Sequence, residues 1–306
     1  MGYADNYICE ADTVIIGRKG NINNPIYVSE PFWNVDTAFG LSANKEVLLP
    51  RYLFYFCKKF DFNKLNKTVT IPSLTKADLL KIKMNLPNIK EQQHIVEKLI
   101  KLESILKYRR QELSTLDNLI KARFVELFGD PVLNPFSWEM KRFDEICENL
   151  DSRRKPISSG DRVEGIYPYY GASGIVDYVE DYIFNEDILL VSEDGANLLM
   201  RSTPIAFSVS GKVWVNNHAH VVRFDKMSLQ KYVEIYFSLI DISDSITGSA
   251  QPKLNQAKLN AIMLPIPEDM LLDRYCEFLY QVNKSKFSVI KERLWKRYLG
   301  LLRKLY

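Results

Sequence analysis

The sequence predicts an α+β chain: two related globular units, the first incomplete, joined by two long helices that form an antiparallel coiled coil. Three observations predict it. A set of residues recurs about 180 positions later. The span from Ile89 to Phe128 contains neither proline nor glycine. The segment after Pro267 again reads as a long helix.

The recurrence comes first because it sets the frame. Pro72, Leu74, Ala77, Leu79, Ile82 and Pro87 return at one offset as Pro252, Leu254, Ala257, Leu259, Ile262 and Pro267. Upstream, Tyr55-Phe56 matches Tyr236-Phe237. Tyr7-Ile8, Asp12 and Gly20 match Tyr182-Ile183, Asp187 and Gly195. Solenoid periods run to roughly 20–50 residues, so a repeat this long is a duplicated domain.

Residues 1–88 form the first unit. Thr13–Ile16 is a short apolar strand and Arg18–Pro25 is turn chemistry. Arg51–Phe60 is an aromatic helix, and Thr75 is placed to cap a short helix carrying Leu79, Leu80 and Ile82. Residues 89–130 form the first long helix, ~60 Å at about 1.5 Å per residue. Leu99, Leu102, Leu106, Leu113, Leu116, Ile120 and Leu127 step by threes and fours, with Arg109 and Arg123 in the gaps: a heptad seam. Gly129-Asp-Pro131 ends it. Residues 131–267 form the second unit, with strand-like runs at Tyr182–Val191 and Val213–Phe224. Residues 268–306 form the second helix, whose stripe is Phe287, Ile290, Leu294, Leu301 and Leu305, with Arg297 beside it. The alternative packing folds each helix back onto its own unit. The first unit lacks a counterpart to Trp138–Asp181, which makes it the incomplete copy.

At 306 residues, 46% hydrophobic and 26% charged, the composition is that of an ordinary soluble globular protein. A net charge of +3 permits nucleic-acid binding without demanding it. No stretch approaches the roughly 20 apolar residues of a membrane span. The first residues lack the pattern of a signal peptide, so a cytoplasmic location is expected. Cys9, Cys57, Cys147 and Cys276 are scattered without a CxxC pair, the pattern of ordinary buried thiols.

The residues and their order resemble the specificity (S) subunits of type I restriction-modification enzymes. Leu127-Phe-Gly-Asp-Pro131 with Asn134-Pro135 and Trp138 resembles that family's junction between helix and second recognition domain. Tyr167–Gly174 and Gly248–Leu254 resemble signatures inside the recognition domain, and Leu86-Pro87 with Glu91-Gln92-Gln93 and Ile95 resembles the start of the first conserved helix. The resemblance implies two target-recognition domains and two spacer helices. It also implies a bipartite double-stranded DNA target, and partners in methyltransferase (modification) subunits and a restriction/translocase subunit. The missing front of the first unit suggests self-association through it.

No cofactor and no catalysis are expected. The phosphate loop G-x-x-x-x-G-K-[ST] is absent. Asn134-Pro-Phe136 resembles the N-P-P-[FYW] loop of adenine methyltransferases, but the second proline is missing and a helix-exit turn explains it better. His218-Ala-His220 places two imidazoles on one strand face without a third metal ligand. The remaining candidates would touch DNA, since Arg or Lys suits guanine and Asn or Gln suits adenine. In the second unit they are Arg201, Lys212, Asn216, Asn217, His218, Gln251 and Lys253. Arg153, Arg154 and Lys155 make the densest basic cluster and suit phosphate. In the first unit they are Arg18, Lys19, Asn21 and Lys67. The competing reading is a coiled-coil scaffold, or a remnant that binds the methyltransferase subunit without reading DNA.

Overall fold

The computed structural model describes residues 4–248 and 250–289. The chain forms two compact units, dividing between Glu112 and Leu113. That point lies inside the long helix, which runs from one unit into the other.

In the first unit, strands β1 (Thr13–Gly17), β2 (Ile26–Val28) and β3 (Ala38–Leu41) form an antiparallel sheet ordered β2-β1-β3. Helix α1 (Pro50–Lys59) starts on a proline, whose missing N–H costs nothing in a first turn. One of its faces closes the core with Val14, Ile16, Ile22, Phe62 and Leu74. The other presents Tyr52 and Tyr55 to Val96 and Leu99 of α3 (Ile89–Phe128). Between them, α2 (Lys76–Leu79) is capped by Thr75, whose hydroxyl accepts the Asp78 amide at 3.1 Å. Leu80 is exposed, outside the packed face.

The second unit is larger. Its strands are β4 (Glu139–Arg142), β5 (Glu148–Asn149), β6 (Glu164–Gly171), β7 (Gly174–Val179), β8 (Phe184–Asn185), β9 (Ile188–Ser192), β10 (Ala206–Val209), β11 (Lys212–Val215), β12 (Ala219–Arg223) and β13 (Met263–Ile266). They form two four-stranded sheets, β10-β9-β12-β5 and β7-β6-β11-β8, and the pair β13-β4. Every residue of β9 is buried, as expected for a strand covered on both faces. The helices are α4 (Phe143–Ile146), α5 (Asn197–Met200), α6 (Met227–Leu239), α7 (Gln256–Asn260) and α8 (Asp269–Val289).

The end of α3 packs against α6 and α8 through an aromatic knot. Phe124 lies 5.1 Å from the Tyr232 ring and 5.8 Å from Tyr275, and Phe128 is as close to both. The Tyr275 hydroxyl donates to the Ile120 carbonyl at 3.0 Å. Lys286, further along α8, pairs with Asp117, earlier in α3, so the two helices run antiparallel. The packed residues of this part of α3 are Leu116, Ile120, Phe124, Leu127 and Phe128.

The leucine seam is thus two faces. Leu99, Leu102 and Leu106 pack on α1 of their own unit, while Leu116 and Ile120 meet α8's side of the second unit. Leu113 is half-buried. The arginines in the gaps meet acids of their own helix: Arg109 pairs with Glu112, and Arg123 pairs with Glu126 while stacking over Phe278. The Phe287 side chain, Ile290, Leu294, Arg297, Leu301 and Leu305 lie outside the described residues. After α3, Asn134 forms the helix-exit turn, its side chain accepting from the Trp138 amide and donating to the Trp138 carbonyl, both at 2.9 Å.

The duplication is visible bond by bond. Gly20 donates to the Pro72 carbonyl at 2.8 Å, and Gly195 to that of Pro252 at 3.0 Å. Leu74 donates to the Arg18 carbonyl and Leu254 to that of Glu193. Thr75 caps α2 as Asn255 caps α7. Tyr52 donates to the Asn85 carbonyl as Tyr232 does to Pro265. This last pair corrects the helix register by one residue. The equivalent of Phe56 is Tyr236, since each accepts its helix's capping amide, from Phe60 and Ile240. Sheet order β2-β1-β3 repeats as β10-β9-β12.

Candidate nucleic-acid interface

Four separate segments of the second unit converge at the C-terminal end of β9. They are the turn Asp151–Lys155, the turn Ser192–Gly195, the turn Asn216–His218 and the loop closed by Thr247 and Lys253. Long-range backbone pairing assembles them. Glu193 donates to the His218 carbonyl at 2.9 Å, Leu254 to Glu193, and Thr247 and Lys253 bond each other in both directions. Gly248 makes the loop bend at φ +83°, and a Cβ there would lie 2.5 Å from the Gln251 carbonyl oxygen. The Tyr167–Gly174 segment borders the same place. The Asn216 amide bonds the Tyr170 carbonyl, and the Ser192 hydroxyl bonds that of Ala172.

Beneath this surface is a compact charge network. Arg154 sits 2.7 Å from Glu193 and 3.2 Å from Asp151, and also donates to the Ala219 carbonyl at 2.7 Å. His220, fully buried, faces Asp151 at 2.6 Å. Burial works against the Asp151 carboxylate. The His220 hydrogen bond and charge, the Val221 amide and Arg154 outweigh it and hold Asp151 below the ordinary carboxylate range. Glu193 is likewise held down, against its burial, by Arg154, His220 and Lys253. Asp151, Glu193 and His220 bring their ligand atoms within 4.8 Å of one another. Arg154 already bridges the two carboxylates, so a cation of the chain occupies the electrostatic place a metal ion would take.

The predicted basic cluster therefore divides. Arg153 pairs with Glu186 at 2.7 Å and stacks over Phe184, and Arg154 is internal. Lys155 stands exposed. Neither arginine is a free phosphate contact. Arg201 is also internal in role: its guanidinium donates to the Phe237 and Ile240 carbonyls at the end of α6, from a left-handed backbone at φ +51°. Lys212 sits at the far end of β11, over Tyr182 and Tyr167, about 10 Å along the strand from Val215, where the Asn216–His218 turn begins, at roughly 3.3 Å per residue. Asn216 is buried and accepts the His218 amide.

That leaves Lys155, Asn217, His218, Gln251 and Lys253 exposed on converging segments. His218 and His220 do not share a partner. His218 lies in the turn before β12 with Nδ1 2.9 Å from Asp194, while His220 turns inward. Lys253 pairs with Glu193 at 3.2 Å. Asp151 and the two acids of the Ser192–Gly195 turn are the charged partners at this place that residue-type reasoning underrated. A carboxylate before a glycine reads as a turn and nothing more.

In the first unit the equivalent turn is Arg18–Gly20. Arg18 stacks 5.9 Å over Phe39 and donates to the Asp36 carbonyl. Lys19 bridges Ser73 through its backbone, and Asn21 is exposed. Lys67 is neutralised, with Nζ 2.9 Å from both oxygens of Asp78. Among the described residues, β5, β6 and β7 have no counterpart in this unit, and Trp33 and Val35 are exposed.

The chain is similar to known proteins in sequence and in fold. A family model described as the type I restriction modification DNA specificity domain matches residues 1–116 and 135–292. A putative type I restriction enzyme specificity subunit from Haemophilus influenzae is 36% identical over 140 residues, covering 46% of this chain and 36% of that relative's length. In fold, the chain is similar to the S subunit of a type I restriction-modification system from M. genitalium. The TM-score is 0.64 at 17% identity, over 100% of this chain and 85% of that one. A chain solved in work on complex assembly and conformational transition of the type I restriction-modification system follows at TM-score 0.53 and 16% identity, covering 97% and 82%. With a family model covering most of its length and one backbone frame duplicated in its two units, the chain belongs to the type I restriction modification DNA specificity family.

Proposed function

We propose that the chain is a DNA-recognition subunit of a cytoplasmic type I restriction-modification complex. Each unit reads one short half-site of a bipartite duplex target. Methyltransferase subunits and a restriction/translocase subunit dock on the chain and supply the chemistry, while the chain itself is not catalytic. The observation that carries this reading is the duplicated turn. One backbone frame, with the same pair of hydrogen bonds, carries Arg18-Lys19 in one unit and Glu193-Asp194 in the other, where both acids are engaged by partners of their own unit. A frame kept constant while the residues on and around it differ suits two readers of different sequences.

Among the described residues no helix is long and apolar enough to cross a membrane. The reading is tested by measuring binding of the complex with methyltransferase subunits to cognate and scrambled duplexes over a salt series. Affinity should fall steeply with salt and favour one sequence. The internal pairing of Arg153, Arg154 and Lys67 favours the scaffold reading instead. Duplex binding too weak to measure, with methyltransferase association intact, would establish the scaffold.

A further inference from the structure

The His220 ring is placed between two hydrogen-bond acceptors. Its Nε2 lies 2.8 Å from the Leu254 carbonyl oxygen. A carbonyl can only accept, so Nε2 must carry a proton. Its Nδ1 lies 2.6 Å from one oxygen of Asp151. The other Asp151 oxygen accepts the Val221 amide at 2.7 Å, and Arg154 stands 3.2 Å away. Those contacts suit an ionised carboxylate, which also only accepts, so Nδ1 must carry a proton as well.

We propose that His220 is a buried imidazolium that fastens the loop ending at Leu254 to β12 and to the Asp151–Arg154 turn, making it a positioning residue for DNA contact by Gln251 and Lys253. The proposal rests on the DNA-recognition reading for its second half only. Asp151 and Glu193, the latter 3.8 Å from Nδ1, set two carboxylates beside the ring; Arg154 contacts both, and Lys253 reaches the outer oxygen of Glu193. The Leu254 peptide is then held at both ends, its N–H by the Glu193 carbonyl and its own carbonyl by His220. A neutral ring with its proton on Nε2 would set two bare acceptors, Nδ1 and Asp151, against each other at hydrogen-bond distance. The first unit shows what replaces it. Phe39 pairs with Ile16 at the register where His220 pairs with Val191, and a cation lies over its ring.

The chain has three histidines, His94, His218 and His220, so imidazole nitrogen NMR on the intact protein is tractable, with His220→Gln for assignment. Protons on both His220 nitrogens are expected in the folded protein. An unprotonated ring nitrogen at His220 overturns the proposal. Hydrogen exchange and duplex binding then test positioning with His220→Gln, which keeps a donor for Leu254, and His220→Phe. The amides of Thr247, Lys253 and Leu254 should exchange faster, and cognate affinity should fall about tenfold in the phenylalanine variant and less in the glutamine variant. A loosened loop with unchanged cognate affinity removes the positioning role. If the unaltered protein binds no duplex, the DNA reading fails while the protonation result stands on its own.

Discussion

The turns Arg18–Gly20 and Glu193–Gly195 have the same backbone and opposite electrostatics. In the first, a cation lies over an aromatic ring; in the second, an anion lies beside an imidazole. The exchange is concerted, since each turn charge is matched by the residue across the sheet. Cation over ring suits an exposed site, because the contact tolerates water. The acid and imidazole in the second unit are internal, and Arg154 and the ring together offset the buried carboxylates. The comparison teaches that one loop frame can be supported by weak surface contacts or by a buried ionic network. Identical backbones therefore do not imply identical sensitivities.

The largest difference is expected from removing the central cation. Arg154→Ala takes from Asp151 and Glu193 the one guanidinium that contacts both, leaving them to His220 and Lys253, at a cost of about 3–5 kcal/mol. Arg18→Ala removes a surface contact worth under ~1 kcal/mol. Denaturant melts that give equal losses for the two variants would dissolve the comparison.

Acid should act on both units, since Asp12 and Asp78 of the first are also held low, by the Tyr27 and Lys67 hydrogen bonds. In the second it acts through the internal network. Asp151 and Glu193 are held below the ordinary range, so they bind fewer protons folded than unfolded. Their contribution is present above the unfolded value, about 4, and is lost as pH falls through the lower folded values. Hydrogen-exchange protection in β9 and β12, taken relative to the intrinsic rate at each pH, should fall as pH drops below about 4, and Arg154→Ala should flatten that dependence.

Arg201 and Asn217 sharpen the comparison on the DNA side. Arg201→Ala strips two α6 carbonyls of their donor and should lower stability by about 1–3 kcal/mol without altering sequence preference. Asn217→Ala should leave stability alone and cost roughly 1–3 kcal/mol on the cognate duplex only. Binding assays beside thermal melts distinguish them, and a specificity change from Arg201→Ala would reverse its assignment. The smallest effect is in the first unit. The double change Arg18→Glu, Lys19→Asp, which imports the second turn's charges, should reduce the salt slope of binding by about two. An unchanged slope would place this turn away from the phosphates.

Much of the fold could be read from residues because local rules dominated it. No proline or glycine interrupts α3, Thr75 has the oxygen a helix start needs, and the glycines at 20 and 195 both take positive φ. The failures came where tertiary partners decide. Matching Tyr-Phe pairs drew the α1 and α6 alignment one residue off, and only the capping bonds to Phe56 and Tyr236 correct it. Counting leucines put the weight on Leu127, while Tyr232 and Tyr275 select Phe124 and Phe128. The site was least legible. Arg153 and Lys155 look alike in sequence, and what separates them is Glu186, a residue more than thirty positions away.

Gln92 carries a mechanical consequence. Its buried amide is fully engaged: Oε1 accepts the Leu49 amide, and Nε2 donates to the Val47 and Pro87 carbonyls, each at 2.8 Å. Three bonds from one side chain weld the first turn of α3 to the segment leading into α1. There is no free swivel at that joint, so torque on the helix is delivered to α1 and the sheet beneath it instead of being lost in a hinge. A long helix clamped in this way is a lever with a fixed fulcrum.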